Sequence, residues 1–205
     1  EWCTAYDDLK IYNRILSPAE ILRAYEKVVP PKKEQMKPLV TSPGTVPVSM
    51  PVAGEPAEGN CNAHVKISHD RNTLFLDFTI NNSGAKHDIL TRDGELWRND
   101  SVEFHLRGGD GKLRQFIVNP AGTLYDSMAG NPKWDSNAKV SAMRQGNSWT
   151  AHLEIPREQL GGGSSFPVNF GVTDFSSGTR HFTWSPLSER SGFSDKRFFG
   201  TLVLG

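Results

Sequence analysis

The stretch Leu96-Trp97-Arg98-Asn99-Asp100-Ser101-Val102-Glu103-Phe104-His105-Leu106 carries the pattern on which the fold turns. It opens as a loop tip, with a Trp followed by Arg98, Asn99 and Asp100, and then alternates strictly. Val102, Phe104 and Leu106 share one phase of a β-strand; Ser101, Glu103 and His105 share the other. Such a strand feeds a core with one face and holds a carboxylate near an indole with the other. A sugar ring suits that pair of groups. Its C–H face stacks on the flat aromatic, and its hydroxyls donate to the carboxylate oxygens.

Similar strands follow on both sides. Leu74, Leu76, Phe78 and Ile80 alternate in one segment, and Trp149, Ala151, Leu153 and Ile155 in another that Pro156 ends. Arg157-Glu158-Gln159-Leu160 can form one helical turn before Gly161-Gly162-Gly163. The run Leu113–Val118 stops at the turn signal Asn119-Pro120-Ala121-Gly122. Val168–Val172, Phe182-Thr183-Trp184 and Phe199–Leu204 complete the set. Short strands at this spacing predict an all-β chain from residue 63, folded as a two-sheet antiparallel β-sandwich. Trp149 and Trp184 are in phase with apolar neighbours and, with Trp134, read as core.

The N-terminal third differs. Residues 4–12 read as a strand, and Ser17-Pro18-Ala19-Glu20 opens a helix with an N-cap, a first-turn Pro and a capping-box Glu. A lone strand and short helix cannot bury themselves and must pack on something else. The run Val29-Pro30-Pro31-Lys32-Lys33 begins a Pro-rich linker expected over 29–44, so the sandwich is expected over 45–205. Cys3 and Cys61 could join as a disulfide or stay as two thiols, and no CxxC or Cys/His cluster suggests zinc. Lys plus Arg and Asp plus Glu balance at 23 each, which leaves no net field to recruit nucleic acid or an anionic membrane. No apolar run approaches membrane-spanning length. A leader upstream of Glu1 could have been cut away; separately, an extracellular, cell-surface or periplasmic location is expected.

Two resemblances add to this reading. Tyr6-Asp7-Asp8-Leu9-Lys10-Ile11-Tyr12-Asn13-Arg14-Ile15-Leu16-Ser17-Pro18-Ala19-Glu20-Ile21 resembles the C-terminal end of laminin-G-like, concanavalin A-like jelly rolls. That implies that residues 1–28 finish a domain lying upstream in a larger protein. The ordered set Trp97…Asp100-Ser101-Val102-Glu103, Gln115-Phe116…Val118-Asn119, Trp149…Glu154-Ile155-Pro156, Asn169-Phe170, Trp184-Ser185-Pro186 and Phe199-Gly200…Leu202 resembles family 9 carbohydrate-binding modules, within the wider DOMON-like sandwiches. The resemblance implies a non-catalytic domain that clamps a sugar of an oligo- or polysaccharide between two aromatic rings. It places Trp97 as one ring and Phe193, where the family usually has Trp, as the other. Glu103, Gln115 and Asn119 fall among the hydroxyl-binding positions. Ile117 stands where the family has a sugar-binding Arg, and Arg190 near where an Asn assists; Arg98 or Arg190 could substitute for the missing donor. Losing that donor removes about 1.5–3 kcal/mol where it operates. The parent protein could carry a glycoside hydrolase or related enzyme. Family members often bind structural calcium, for which Asp70-Arg71-Asn72 or Asp93-Gly94-Glu95 could supply oxygens.

Other readings stay open at this point. Trp97 could cover the rim of the core, Phe193 could be packing, Asp100 could order its own turn, and Glu103 could be an ordinary solvated residue. His105, His152 and Glu154 share the off-core phase and admit a metal site, or a hydrolase pairing Glu103 with Glu154. A structural or protein-binding sandwich that lost its pocket is the main alternative, favoured by Ile117. A DOMON-type haem domain would need Met128 or Met143 with a His.

Overall fold

The computed structural model describes residues 37–52, 62–81, 86–176, 178–188 and 191–205. The chain divides into two units, 1–36 and 37–205. The strand and helix expected near the N-terminus, Cys3, Cys61 and Arg190 lie outside the described residues. The strands are β1 (Leu39–Ser42), β2 (Gly44–Pro47), β3 (Met50–Pro51), β4 (Asn62–His69), β5 (Thr73–Asn81), β6 (Ser101–Arg107), β7 (Leu113–Val118), β8 (Leu124–Met128), β9 (Lys139–Gln145), β10 (Ser148–Pro156), β11 (Ser165–Asp174), β12 (Arg180–Thr183) and β13 (Gly200–Leu204). Among the described residues they form two sheets. One runs β1-β13-β11-β6-β7-β8, with β12 and β3 continuing from β11; the other runs β2-β4-β5-β10-β9. Every pairing is antiparallel except β1 with β13.

The alternation read from the sequence sets which faces meet. Leu74, Leu76, Phe78 and Ile80 of β5 and Trp149, Ala151, Leu153 and Ile155 of β10 are buried in one cluster with Val102, Phe104 and Leu106 of β6 and Val168, Phe170 and Val172 of β11. Phe104 stacks between its cross-strand neighbours, 5.8 Å from Phe116 and 5.2 Å from Phe170. Phe78, from the opposite sheet, meets Phe170 edge-on at 6.1 Å. Trp184 closes one side of this stack against Phe170, and the half-buried Trp134 meets Phe116 at its margin.

The domain boundary is corrected. The sandwich begins by residue 39, inside the stretch expected to be linker up to 44, because β1 carries Val40 into the core and pairs with β13 along Leu39–Ser42. Pro38 and Pro43 flank β1 rather than interrupt it, so neither withholds a ladder N–H within the strand. Two further strands carry little apolar alternation. β9 is a largely exposed edge. β8 turns the buried Asp126 inward, where it accepts from the Ser136 amide and hydroxyl and pairs with Arg92 at 2.9 Å. Burial pushes the Asp126 carboxyl up, while the Ser136 hydrogen bonds and the Arg92 charge oppose the rise.

At the far end of β7, the buried Arg114 grips Asp110 with two hydrogen bonds of 2.8 and 3.0 Å. That grip holds the Asp110 carboxyl down at about 2. A depressed carboxylate stabilises the fold above its ordinary value of 3.8 and loses that contribution as pH falls toward 2. After solvent screening the contribution is about 1 kcal/mol at neutral pH. Denaturant titrations of the parent and Asp110→Asn should therefore show a stability gap at pH 7 that closes between pH 3.8 and 2. A gap that ignores pH would contradict this role.

Candidate functional site

Because β6 sends Phe104 inward, it sends Glu103 outward from the eight-stranded sheet. One cross-strand row runs Tyr125–Ile117–Glu103–Gly171 over β8, β7, β6 and β11. Three strand spacings separate its ends, about 14 Å, with Glu103 in between. Trp97 meets Tyr125 edge-on at one end of the row, with centroids 5.6 Å apart. Phe193 lies against Gly171 at the other, where an added Cβ would come within 2.8 Å of three ring atoms. Trp97, Glu103 and Phe193 line one pocket of about 300 Å³, together with Thr173, His181 and Leu187.

Each ring is held differently. Trp97 sits on the short 3-10 turn Leu96–Arg98, whose Leu96 is buried, and the indole itself is 43% exposed. The loop around it is anchored by buried polar residues. Asn99 donates to Asp88 at 2.6 Å and accepts from the Ile89 amide at 3.0 Å. The Asn99 hydrogen bond holds the Asp88 carboxyl below its ordinary value. Asp100 accepts from the amides of Lys86 and Phe175, 2.6 and 2.8 Å away. Phe193 is only 8% exposed and packs with Val52, Leu187 and Phe198. The expected free-standing second ring is thus a wall of the pocket, wedged between His105 and His181 at 6.2 and 5.9 Å.

Glu103 is 6% exposed, with one oxygen accepting from His105 Nε2 at 2.9 Å. Among the described residues its other oxygen meets only Thr173 Oγ1, at a long 3.5 Å, and so keeps capacity to accept a further hydrogen bond. The Nδ1 of His105 is buried and has no partner among the described residues.

The remaining expected site residues fall elsewhere. Gln115 shares the outer face one register step from Glu103, opposite His105, and accepts from Ser127 Oγ at 3.2 Å; it is outside the pocket lining. Arg98 is exposed and pairs with Glu95 at 3.0 Å, also outside the lining. The expectation for Asn119 is corrected. It is fully buried and latches the Trp97 loop, donating to Ile89 O and Asn99 Oδ1 and accepting from the amides of Ala121 and Thr123. Ile117, beside Glu103 in the row, is buried.

The two carboxylates of the hydrolase alternative do not converge. Glu154 and His152 leave the outer face of the five-stranded sheet, since Leu153 and Ile155 point inward, so Glu103 and Glu154 stand on opposite sides of the sandwich. Face-packed sheets are about 10 Å apart, which puts these carboxylates beyond any shared substrate bond. Burial lowers the His152 pKa, but hydrogen bonds and charge from Asp77 and then Glu154 outweigh it and raise the value. Asp70 Oδ1 accepts from the amides of Asn72 and Thr73, and Asp93 Oδ1 from that of Asp126. Among the described residues no group of three or more His, Cys, Asp or Glu is placed to hold a metal. Met143 is 65% exposed on the edge strand β9. Thr173, His181, Leu187 and Gly171 are site residues that sequence reasoning missed. Of these only Gly171, alone inside an apolar strand, carries a signal: a Gly there marks close approach.

No family model matches the chain, and no curated protein matches it. Solved structures do. A proposed carbohydrate-binding protein from Bacteroides uniformis aligns with a TM-score of 0.67 at 20% identity, over 79% of this chain and 86% of its own. A family 9 carbohydrate-binding module from Caldicellulosiruptor kristjanssonii, in complex with glucose, aligns with a TM-score of 0.59 at 13% identity, over 82% and 96%. A second such structure, in complex with cellotriose, gives 0.55 at 15% identity, over 81% and 92%. At these identities the likeness shows the fold: this chain is a β-sandwich like that of family 9 carbohydrate-binding modules.

If Gly171 is required because Phe193 rests on it, Gly171→Ala should destabilise by about 1–3 kcal/mol, the usual range for overpacking. The same substitution in a Phe193→Ala background should cost much less. Equilibrium unfolding of the four proteins in this double-mutant cycle measures the coupling. Additive effects would separate Gly171 from Phe193.

Proposed function

We propose that this chain is a non-catalytic carbohydrate-binding module. A sugar unit lies in the pocket with its C–H face on Trp97, its far edge toward Phe193, and a hydroxyl donating to the carboxylate of Glu103. The observation that carries this reading is the convergence of those three side chains on one pocket. Half-exposed indole beside a partly satisfied carboxylate is poorly accounted for by packing, which favours full burial for large aromatics and complete pairing for buried polar groups. The loop anchors at Asn99, Asp100 and Asn119 support it further, because they fix Trp97 before any ligand arrives and so lower the ordering cost of binding. In this reading the chain is one module of a secreted multidomain protein whose preceding laminin-G-like domain ends within residues 1–28.

Glucose and cellotriose, bound by the two family 9 neighbours, are the first probes. Titration calorimetry should find binding to one of them or to a related oligosaccharide. Trp97→Ala should weaken it by about 2 kcal/mol or more, roughly 30-fold, with an unchanged melting temperature. Glu103→Gln keeps the shape but loses the ionised acceptor, and should weaken it by about 1.5–3 kcal/mol. Parent-like binding by the folded Trp97→Ala protein would remove the pocket from the account.

Two observations favour a second reading, a structural or protein-interaction sandwich with a reduced pocket. Ile117 is buried next to Glu103, and Phe193 is largely covered. A glycan array without a signal above background would select that reading.

A further inference from the structure

A second concavity borders the aromatic pocket along the same loop. Ser191, Gly192 and Phe193 line the pocket, and the next residues, Ser194, Asp195 and Lys196, line a groove of about 500 Å³ with Arg107 and Lys112. The strand connects them too. Glu103, His105 and Arg107 share one phase of β6, so Glu103 in the pocket and Arg107 in the groove lie about 13 Å apart along one face. That span exceeds one sugar ring and suits a short chain of them.

The charges in the groove are unbalanced. Arg107, Lys112 and Lys196 are exposed, and none forms an ion pair among the described residues. Among the described residues the Arg107 Nε donates only to the Gly111 carbonyl, at 3.3 Å. The two nearby carboxylates are already engaged. Arg197 holds Asp195 through contacts of 2.9 and 2.6 Å, and Arg114 holds Asp110. Each pairing favours the ionised carboxyl, lowering Asp195 from its ordinary value and holding Asp110 at about 2. In a chain with no net charge, three gathered cations with no ion pair among the described residues form a local anion-binding field.

We propose that this groove is a second subsite for an anionic sugar unit, a carboxylate- or sulfate-bearing residue of the same oligosaccharide whose neighbouring unit occupies the Trp97 pocket. The inference rests on the proposed sugar-binding function and deepens it: the ligand is an acidic glycan. Arg107 offers a fork for two anion oxygens, and Lys112 and Lys196 offer point charges on flexible stems.

The test compares three tetrasaccharides by calorimetry at low salt: cellotetraose, tetragalacturonate and a sulfated tetrasaccharide. Of the two anionic probes, the one carrying the right group should bind roughly tenfold more tightly than the neutral one, a margin expected from two or three exposed charge pairs. That margin should vanish near 1 M salt, where screening acts within about 3 Å. It should also vanish in Lys112→Gln/Lys196→Gln, with neutral binding and melting temperature unchanged. Equal affinities for all three, unaffected by the double substitution, would overturn the acidic subsite while leaving the sugar pocket standing. Anionic binding that survives Trp97→Ala undiminished would show a free anion site, and would overturn the claim that groove and pocket share one ligand. Binding of none of the three would overturn both readings.

Discussion

Phe104 is the residue on which the rest depends. It is stacked between Phe116 and Phe170 across three adjacent strands, and Phe170 in turn meets Phe78 of the opposite sheet. A strand locked by such a stack has only one register, because a shift of one residue exchanges its two faces. For β6 that exchange would drive Glu103 and His105 into the hydrophobic interior and expose Phe104. Burying an ionised carboxylate there is prohibitive, so hydrophobic packing on one face determines where the polar groups stand on the other. The rings and the carboxylate of the outer row owe their spacing to this lock.

Much of that architecture was legible in the sequence because it is written in period two. Val102, Phe104 and Leu106, and likewise Trp149, Ala151, Leu153 and Ile155, face inward as their alternation requires. Trp97 was legible for a different reason: a large aromatic followed at once by Arg, Asn and Asp, with no alternating apolar partners after it, marks a loop tip, and it stands half-exposed. What periodicity does not encode is contact between distant segments. Phe193 is covered by Val52 and Leu187, whose approach depends on loops far apart in the chain. Asn119 sits at the end of a strand whose neighbours suggest ligand contact, yet its hydrogen bonds reach back to Ile89 and Asn99. β1 hides between two prolines, and β8 carries an inward Asp126 whose partners, Ser136 and Arg92, come from separate loops.

Electrostatics organises the outer surface more than net charge suggests. The balance of 23 basic and 23 acidic residues conceals local sorting. Asp110 and Asp195 are bound to their own arginines, Asp100 to backbone amides, and Glu103 to His105. Engaged in this way, these acids are held by partners from the chain itself. One oxygen of the pocket carboxylate has only a long contact to Thr173 among the described residues, and Arg107, Lys112 and Lys196 form no ion pair among them. One face therefore passes from an aromatic end that holds a carboxylate to a basic end.

A crystal structure with a bound oligosaccharide tests this account most directly. It predicts a pyranose ring over the indole of Trp97, a hydroxyl within about 3 Å of a Glu103 carboxylate oxygen, and Phe193 unmoved on Gly171. A sugar found on the outer face of the five-stranded sheet, beside Asp77, His152 and Glu154, would contradict it. So would a ligand that binds only after Phe193 has left its seat.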